Sequence, residues 1–365
     1  MNAPAWPCAA DLARVQAWMD TQGLGEGPIR DAALLTGGTQ NLLLHMRRGD
    51  TAYVLRRPPM HARREVQATI EREARVLAAL KGSRVPHPEL IGLCLDCQVQ
   101  GVPFYLMAPI DGFNASGRPL PAPHADDSAM RRRMGLSMVD ALLRLAEIDP
   151  FAVGLEGFGK PVGFLERQVE RWSAQLDHYR VHAGWSGPAS LPGVAEVAAW
   201  LKRHQPAASA PGILHGDFHL ANVMFSPDAG EVAAVIDWEL ATVGDPLLDL
   251  GWLVATWPDA GGYGAGTIHV SPWQGFADAA ELVEHYRQRS PRDLSAIAWY
   301  VVLARFKLGI LLEGSHARAC AGKAPFELGQ KHHRSALKLF ESARATIAQT
   351  PFQVRQTEQQ ETGNV

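Results

Sequence analysis

The chain has 365 residues, 47% hydrophobic and 20% charged, with four cysteines and a formal net charge of −3. That length exceeds what one hydrophobic core usually serves, so two domains or lobes are expected, and the near-neutral charge argues against bulk binding to nucleic acid or anionic membrane. The cysteines are too few for a disulfide scaffold, no apolar run nears the roughly 18 residues of a membrane span, and the N-terminus lacks a secretory pattern, so a cytoplasmic location is the expectation.

Residues 11–23 read as a short helix opened by Asp11 and stopped by Gly23. Two strands follow near 41–46 and 52–56, joined by the turn RRGD and preceded by the glycine turn TGGTQN. Residues 64–82 form an amphipathic helix ended by Gly82, and further strands fall near 89–94 and 101–108. Between those strands Cys94 and Cys97 make a C-x-x-C, but no turn-to-helix context is expected there, so they read as ordinary thiols. Strands, one helix and strands describe a small α+β lobe over 1–108. A Pro- and Gly-rich stretch then leads into a second region, 109–350, with helices at 128–147, 164–181, 193–204, 276–289, 292–315 and 328–348. One β interruption lies within it, between 213 and 239, and the polar tail 351–365 is expected to be disordered.

Chemistry-bearing residues concentrate in that interruption, ILHGDFHLANVMF followed by VAAVIDW. His215, Asp217 and His219 alternate like zinc ligands on a strand face, but Ala221-Asn222 breaks the alternation. His332 and His333 are adjacent and diverge on a helix, so they supply no further ligand cluster. A phosphoryl-transfer loop accounts for more residues. It needs a carboxylate to take the acceptor proton, and an amide and a second carboxylate to hold Mg²⁺. Asp217 supplies the first, Asn222 the amide, and Asp237 the second carboxylate at the end of the following strand. Oxygen donors suit hard Mg²⁺ better than zinc. On the helix 64–82, Val66, Ile70, Leu77 and Leu80 form one stripe; Glu73 falls inside it and Glu71 outside. A buried carboxylate needs a cationic partner, for which some nearby surface arginine is the plain candidate.

The combination HGDFHLANVMF…VIDWE resembles the catalytic signature of the aminoglycoside phosphotransferase and choline kinase-like family, relatives of the protein kinases. The order of motifs agrees over most of the chain. The resemblance implies a two-lobed protein-kinase-like α+β fold, with a small N-terminal sheet-plus-helix lobe and a larger, mainly helical C-terminal lobe. It implies ATP and Mg²⁺ as cofactors, Asp217 as catalytic base, Asn222 and Asp237 as metal ligands, and His215 as a brace for the loop. His219 receives no duty. Arg56, on the strand TAYVLRRPP, stands where the family ties the helix of Glu73 to the nucleotide phosphates. Gly37, Gly38, Thr39, Gln40 and Asn41 would cradle phosphate, and Met107 and Ile110 would meet adenine at the hinge. Arginine instead of lysine, and a turn short of G-x-G-x-x-G, depart from the protein-kinase pattern. The segment YVLR is common in the branch associated with acyl-CoA dehydrogenases, which this chain most resembles. Asp245 and Asp249 read either as helix-start carboxylates or, for Asp249, as an internal brace of the catalytic loop.

Over 301–345 the basic residues are Arg305, Lys307, Arg318, Lys323, Lys331, Arg334, Lys338 and Arg344, against Glu313, Glu327 and Glu341. That bias disfavours a polycationic aminoglycoside and favours an anionic acceptor such as a hydroxyacyl-CoA, with solvated helix faces as the plain alternative. By the resemblance, Arg305, Glu313 and Arg318 are candidates for the acceptor side. The expected activity is transfer of a γ-phosphoryl group to a small-molecule hydroxyl, with no nucleic-acid or membrane partner; the rival is a non-catalytic, pseudokinase-like nucleotide binder.

Overall fold

The computed structural model describes residues 6–35, 41–59, 64–207, 209–266 and 268–350, and for 64–66 the backbone alone. Gly37, Gly38, Thr39, Gln40 and the tail 351–365 lie outside these. Packing divides the chain into two compact units: Met1–Arg167 with Ala207–Leu294, and Gln168–Pro206 with Ser295–Val365.

The first unit begins with α1 (Ala9–Thr21), β1 (Ile29–Leu35), β2 (Leu42–Arg48), β3 (Thr51–Arg57), α2 (Arg64–Leu80), β4 (Leu90–Cys94), α3 (Cys97–Gln100) and β5 (Phe104–Met107). The five strands form one antiparallel sheet in the order β1-β2-β3-β5-β4. Side chains alternate across a strand, so β3 sends Tyr53 and Leu55 to one face and Val54 and Arg56 to the other. The first face packs with Leu44, Met46, Phe104 and Leu106 against Val15 and Met19 of α1. On the second face Arg56 lies opposite Tyr105 in the β3–β5 register.

Strand β1 has no alternating pattern for sequence to reveal, because it is a largely exposed edge strand with an irregularity between Arg30 and Ala33. The turn expected after Cys94 contains the short helix α3, started by Asp96, whose carboxylate accepts the Gln98 amide at 2.8 Å. Cys94 is buried, Cys97 exposed, and both are free thiols.

The first unit continues through β6 (Phe113–Asn114), α4 (Ser128–Ala146), β7 (Gly212–Leu214), β8 (Val223–Phe225), β9 (Val232–Val235), β10 (Thr242–Gly244), α7 (Leu247–Thr256) and α8 (Ala279–Arg287). Helix α5 (Glu166–His178) crosses into the second unit, which holds α6 (Val194–Arg203), α9 (Ile297–Cys320) and α10 (Phe326–Gln349). Helix α7 is foreshadowed in sequence only by the helix-start reading of Asp245 and Asp249, and its segment LLDLGWLVAT explains why: it is apolar almost all round and mostly buried, so it carries no amphipathic stripe. Helix α9 extends five residues past its expected end at 315. Within the helix, the Gly314 backbone packs against Tyr179, where an added Cβ would sit 2.5 Å from the ring. It is a packing glycine. Among the described residues, no helix is long and apolar enough to cross a membrane.

Candidate active site

The hairpin β8–β9 assembles the centre of the site. Val223 pairs with Val235, and the Ile236 amide donates to the Asn222 carbonyl at 2.9 Å. Asn222 just before β8 and Asp237 just after β9 are therefore neighbours, although fifteen residues separate them in sequence. Asp237 adopts a left-handed backbone, φ 68° and ψ 62°, a conformation aspartate tolerates better than most side chains. It turns the chain sharply as the strand ends.

The loop 215–222 is held from several sides. Asp249, 2% exposed in the first turn of α7, accepts the backbone N–H groups of His215 at 2.6 Å and Gly216 at 2.9 Å. It braces the loop, while Asp245 accepts the Leu247 amide at 3.1 Å as a helix-start residue. Gly216 has φ +84°, and a Cβ there would stand 2.4 Å from the Leu240 carbonyl oxygen, so the tight passage requires glycine. His215 is fully buried; its Nε2 lies 2.9 Å from the Ile236 carbonyl and its Nδ1 accepts the Asp217 amide at 3.3 Å. Both ring nitrogens are thereby committed to backbone, which removes His215 as a zinc ligand.

Asp217 is positioned by three side chains. Trp252 of α7 donates its indole N–H to Oδ1 at 3.0 Å, and Asn222 donates its amide to Oδ2 at 3.0 Å. His219 Nε2 stands 3.2 Å from Oδ1, so the residue to which sequence assigned no duty touches the central carboxylate. Asn114 of β6 donates to the Ala221 carbonyl at 2.7 Å and the Val223 carbonyl at 3.0 Å, fixing the loop where it enters β8.

The second cluster joins the sheet to this loop. Arg56 Nη2 donates to Glu73 Oε1 at 2.7 Å and to Asp237 Oδ1 at 2.8 Å, and Tyr105 donates to Glu73 Oε2 at 2.9 Å. Glu73 is wholly buried and Glu71 exposed, as the apolar stripe of α2 requires. Burial opposes the charge of Arg56, but Tyr105, Glu73 and Asp237 outweigh it and hold its pKa above the ordinary value. Burial pushes Glu73 upward, and Arg56 only partly offsets the push. Glu239, two residues past Asp237, joins this acidic group: burial first, then Asp237 and Glu73, push it up to about 7. One carboxylate oxygen from each of Glu73, Asp237 and Glu239 lies within 4.8 Å of the others. An all-oxygen set of this kind fits a hard divalent cation. Among the described residues, Arg56 Nε and Asn41 Oδ1 are buried without a hydrogen-bond partner, and an unspent guanidinium N–H fits an anionic group such as phosphate.

The structure thus brings together Arg56, Glu73 and Asp237, and likewise His215, Asp217 and Asn222. Met107 closes β5 paired to both Val54 and Leu90, with Ile110 half-buried shortly beyond. Gly37 to Gln40 lie outside the described residues. In the second unit, Arg305 donates to the Ser342 carbonyl at 3.1 Å, Arg318 is exposed, and buried Glu313 accepts the Trp185 indole N–H at 2.6 Å. Sequence reasoning assigned no role to Trp252, Asn114, His219 and Glu239; local signals existed for His219, two residues from Asp217, and for Glu239, two residues from Asp237.

The profile of the "Phosphotransferase enzyme family" matches residues 31–292. Among curated proteins, the chain is 30% identical over 323 residues to acyl-CoA dehydrogenase family member 11 of Rattus norvegicus, covering 86% of this chain and 40% of that protein. It is 29% identical over 305 residues to family member 10 of Mus musculus, covering 80% of this chain and 27% of that one. The chain therefore spans less than half the length of these relatives. Among solved structures, a provisionally assigned aminoglycoside phosphotransferase from Ralstonia eutropha JMP134 superposes with a TM-score of 0.75 at 29% identity, covering 91% of this chain and 98% of the other. A thermostable mutant of aminoglycoside phosphotransferase APH(4)-Ia, in ternary complex with AMP-PNP and hygromycin B, superposes at 0.61 with 13% identity, covering 93% and 99%, a likeness of fold alone. With the match spanning well over half its length, the chain belongs to the phosphotransferase enzyme family.

Proposed function

We propose that this chain transfers the γ-phosphoryl group of ATP to a hydroxyl of a small, anionic acceptor. The observation that carries the reading is the convergence of Asp217, Asn222 and Asp237 on one hairpin-bounded loop, with Asp237 bonded at 2.8 Å to the arginine that also holds Glu73. Asp217 takes the proton of the acceptor hydroxyl as that oxygen attacks the γ-phosphorus. The bond to the β–γ bridging oxygen breaks, and ADP leaves with the electron pair. Trp252, His219 and Asn222 keep Asp217 aimed, so most of the rate enhancement comes from positioning and charge complementarity. Asn222 and Asp237, with Glu239 nearby, would hold Mg²⁺, which when bound neutralises phosphate charge. Arg56 contributes its remaining N–H to phosphate, Asn41 and the glycine turn cover the phosphates, and backbone at Met107 and Ile110 meets adenine. We assign the nucleotide lobe to 1–108 and the acceptor lobe to 109–350.

The acceptor is proposed to be anionic, with a hydroxyacyl-CoA as the leading candidate. Arg318, Lys323, Lys331, Arg334 and Lys338 are exposed in the basic helical segment, and the relatives bear acyl-CoA dehydrogenase names. A cytoplasmic location is proposed with this activity. The test is a screen of hydroxyacyl-CoAs and hydroxylated metabolites with ATP, following ADP release and the phosphorylated product by mass. Asp217→Ala should lower turnover by at least about 10²–10⁴-fold while retaining nucleotide binding. Turnover near wild type in that variant overturns the role of Asp217. Nucleotide binding with neither product nor slow ATP hydrolysis in the wild type supports the non-catalytic alternative.

A further inference from the structure

Four residues of the second unit with metal-ligand chemistry have no part in the phosphoryl transfer proposed above. Glu313, His316 and Cys320 stand at positions i, i+3 and i+7 of α9, on one face of the helix. Helix α10 crosses this face closely, because Gly329 lies against Ala319, where an added Cβ would be only 2.3 Å away. One turn further along α10, His333 is brought beside His316, with ring centroids 4.3 Å apart. We propose that Glu313, His316, Cys320 and His333 form a binding site for a divalent transition ion of the zinc class.

One ligand atom from each of Glu313, His316 and His333 lies within 4.8 Å of the others. Cys320 Sγ is 3.6 Å from His316 Nε2. Metal–nitrogen and metal–sulfur bonds of roughly 2.05 and 2.3 Å at a tetrahedral angle give an S···N edge of about 3.6 Å. That one edge, from His316 to Cys320, already matches the ion, while the Cys320 thiol lies outside the tighter cluster of Glu313, His316 and His333. His333 Nδ1 stands 2.7 Å from Glu313 Oε2, a hydrogen-bond distance that must open by roughly half an ångström to reach a tetrahedral O···N edge. Trp185 donates its indole N–H to Glu313 Oε1 at 2.6 Å, orienting the carboxylate from behind as supporting partners of metal ligands do. Glu313 is buried, while His316, His333 and Cys320 are half-buried, so ions can reach the ligands from solvent. Imidazole and thiolate donors select zinc or cobalt over Mg²⁺ and Ca²⁺, which favour all-oxygen shells.

Cobalt(II) is the probe, titrated under reductant into the full chain after removal of metals with a chelator. One equivalent should bind with the intense visible bands of tetrahedral cobalt and a near-ultraviolet thiolate charge-transfer band. Cys320→Ser should abolish the charge-transfer band while retaining cobalt. His316→Ala and His333→Ala should each weaken binding by at least about 10–100-fold, the loss that even a supporting partner can cause. Asp237→Asn should leave this binding unchanged, separating the site from the phosphoryl-transfer residues. Circular dichroism of each variant establishes that it is folded, and the wild-type titration needs no variant. No stoichiometric uptake, a purely six-coordinate spectrum, or uptake indifferent to both histidine substitutions overturns the proposal. A tetrahedral spectrum without the charge-transfer band overturns the part assigned to Cys320.

Discussion

Replacing Arg56 with methionine tests whether the buried ion pair behaves as its surroundings require. The substitution removes the guanidinium bonded to Glu73 at 2.7 Å and leaves a carboxylate of zero exposure with the Tyr105 hydroxyl at 2.9 Å. Breaking a buried pair by removing one partner costs about 3–5 kcal/mol while the other remains charged. Glu73 limits that cost by taking up a proton, because burial already holds its pKa above the ordinary 4.5 and losing Arg56 raises it further. A carboxyl whose pKa is higher folded than unfolded contributes stability below the ordinary carboxylate range. That contribution is lost as pH rises through the folded value. The Arg56→Met deficit should therefore be smaller near about pH 5 than near about pH 8, with about 3–5 kcal/mol as its upper limit. Urea unfolding of wild type, Arg56→Met, Glu73→Gln and the double variant at both pH values measures it. The double variant should recover about 1–3 kcal/mol relative to additivity. A deficit equal at both pH values, and additive in the double variant, would refute the reasoning.

Glu239 gives a second pH signature: with its pKa pushed up to about 7 by burial and then by Asp237 and Glu73, the neutral form is favoured below that value. Wild-type thermal stability should consequently fall as pH rises through about 7, and Glu239→Gln should flatten that slope; parallel curves would remove Glu239 from the acidic group. Gly216→Ala should cost at least about 1–3 kcal/mol and most of the turnover, because φ is +84° and the new Cβ meets the Leu240 carbonyl; wild-type melting and activity would refute that constraint. Arg56→Lys should stay within about 1 kcal/mol of wild-type stability while raising KM for ATP, measured by urea unfolding and steady-state kinetics; an unchanged KM would mean the lost N–H had no phosphate partner.

The parts of the site legible in sequence are those whose geometry follows from local repetition. Glu73 could be separated from Glu71 because a helix places residues at i, i+4 and i+7 on one face, and that face proved buried. Asn222 and Asp237 could be linked because they flank two short apolar segments that pair, so closeness in space follows from hairpin closure. Trp252, which donates to Asp217, lies in a helix apolar on nearly every side, where no periodic signal distinguishes one aromatic from its neighbours. Asn114 sits in a strand of only two residues, too short for alternation to register. Both act on the loop from distant parts of the chain, and local patterning holds no record of such contacts.

The arginine that departs from the lysine pattern becomes intelligible once its bonds are separated by atom. Both Glu73 and Asp237 are contacted through Nη2 alone, at 2.7 and 2.8 Å. A lysine ammonium, one nitrogen with three donors, could make both of those contacts. Arginine therefore adds nothing to this pair of bonds that lysine lacks. What it adds is the rest of the fork, of which Nε is buried and without a partner among the described residues. A buried N–H left unpaired costs about 1–3 kcal/mol, so arginine is a poor choice for the ion pair considered by itself. The cost is recovered if an acceptor takes up that Nε N–H, and a phosphate oxygen of the proposed nucleotide would do so. Under the proposed function, arginine at position 56 thus serves as a further phosphate donor and is no sign of a lost nucleotide site.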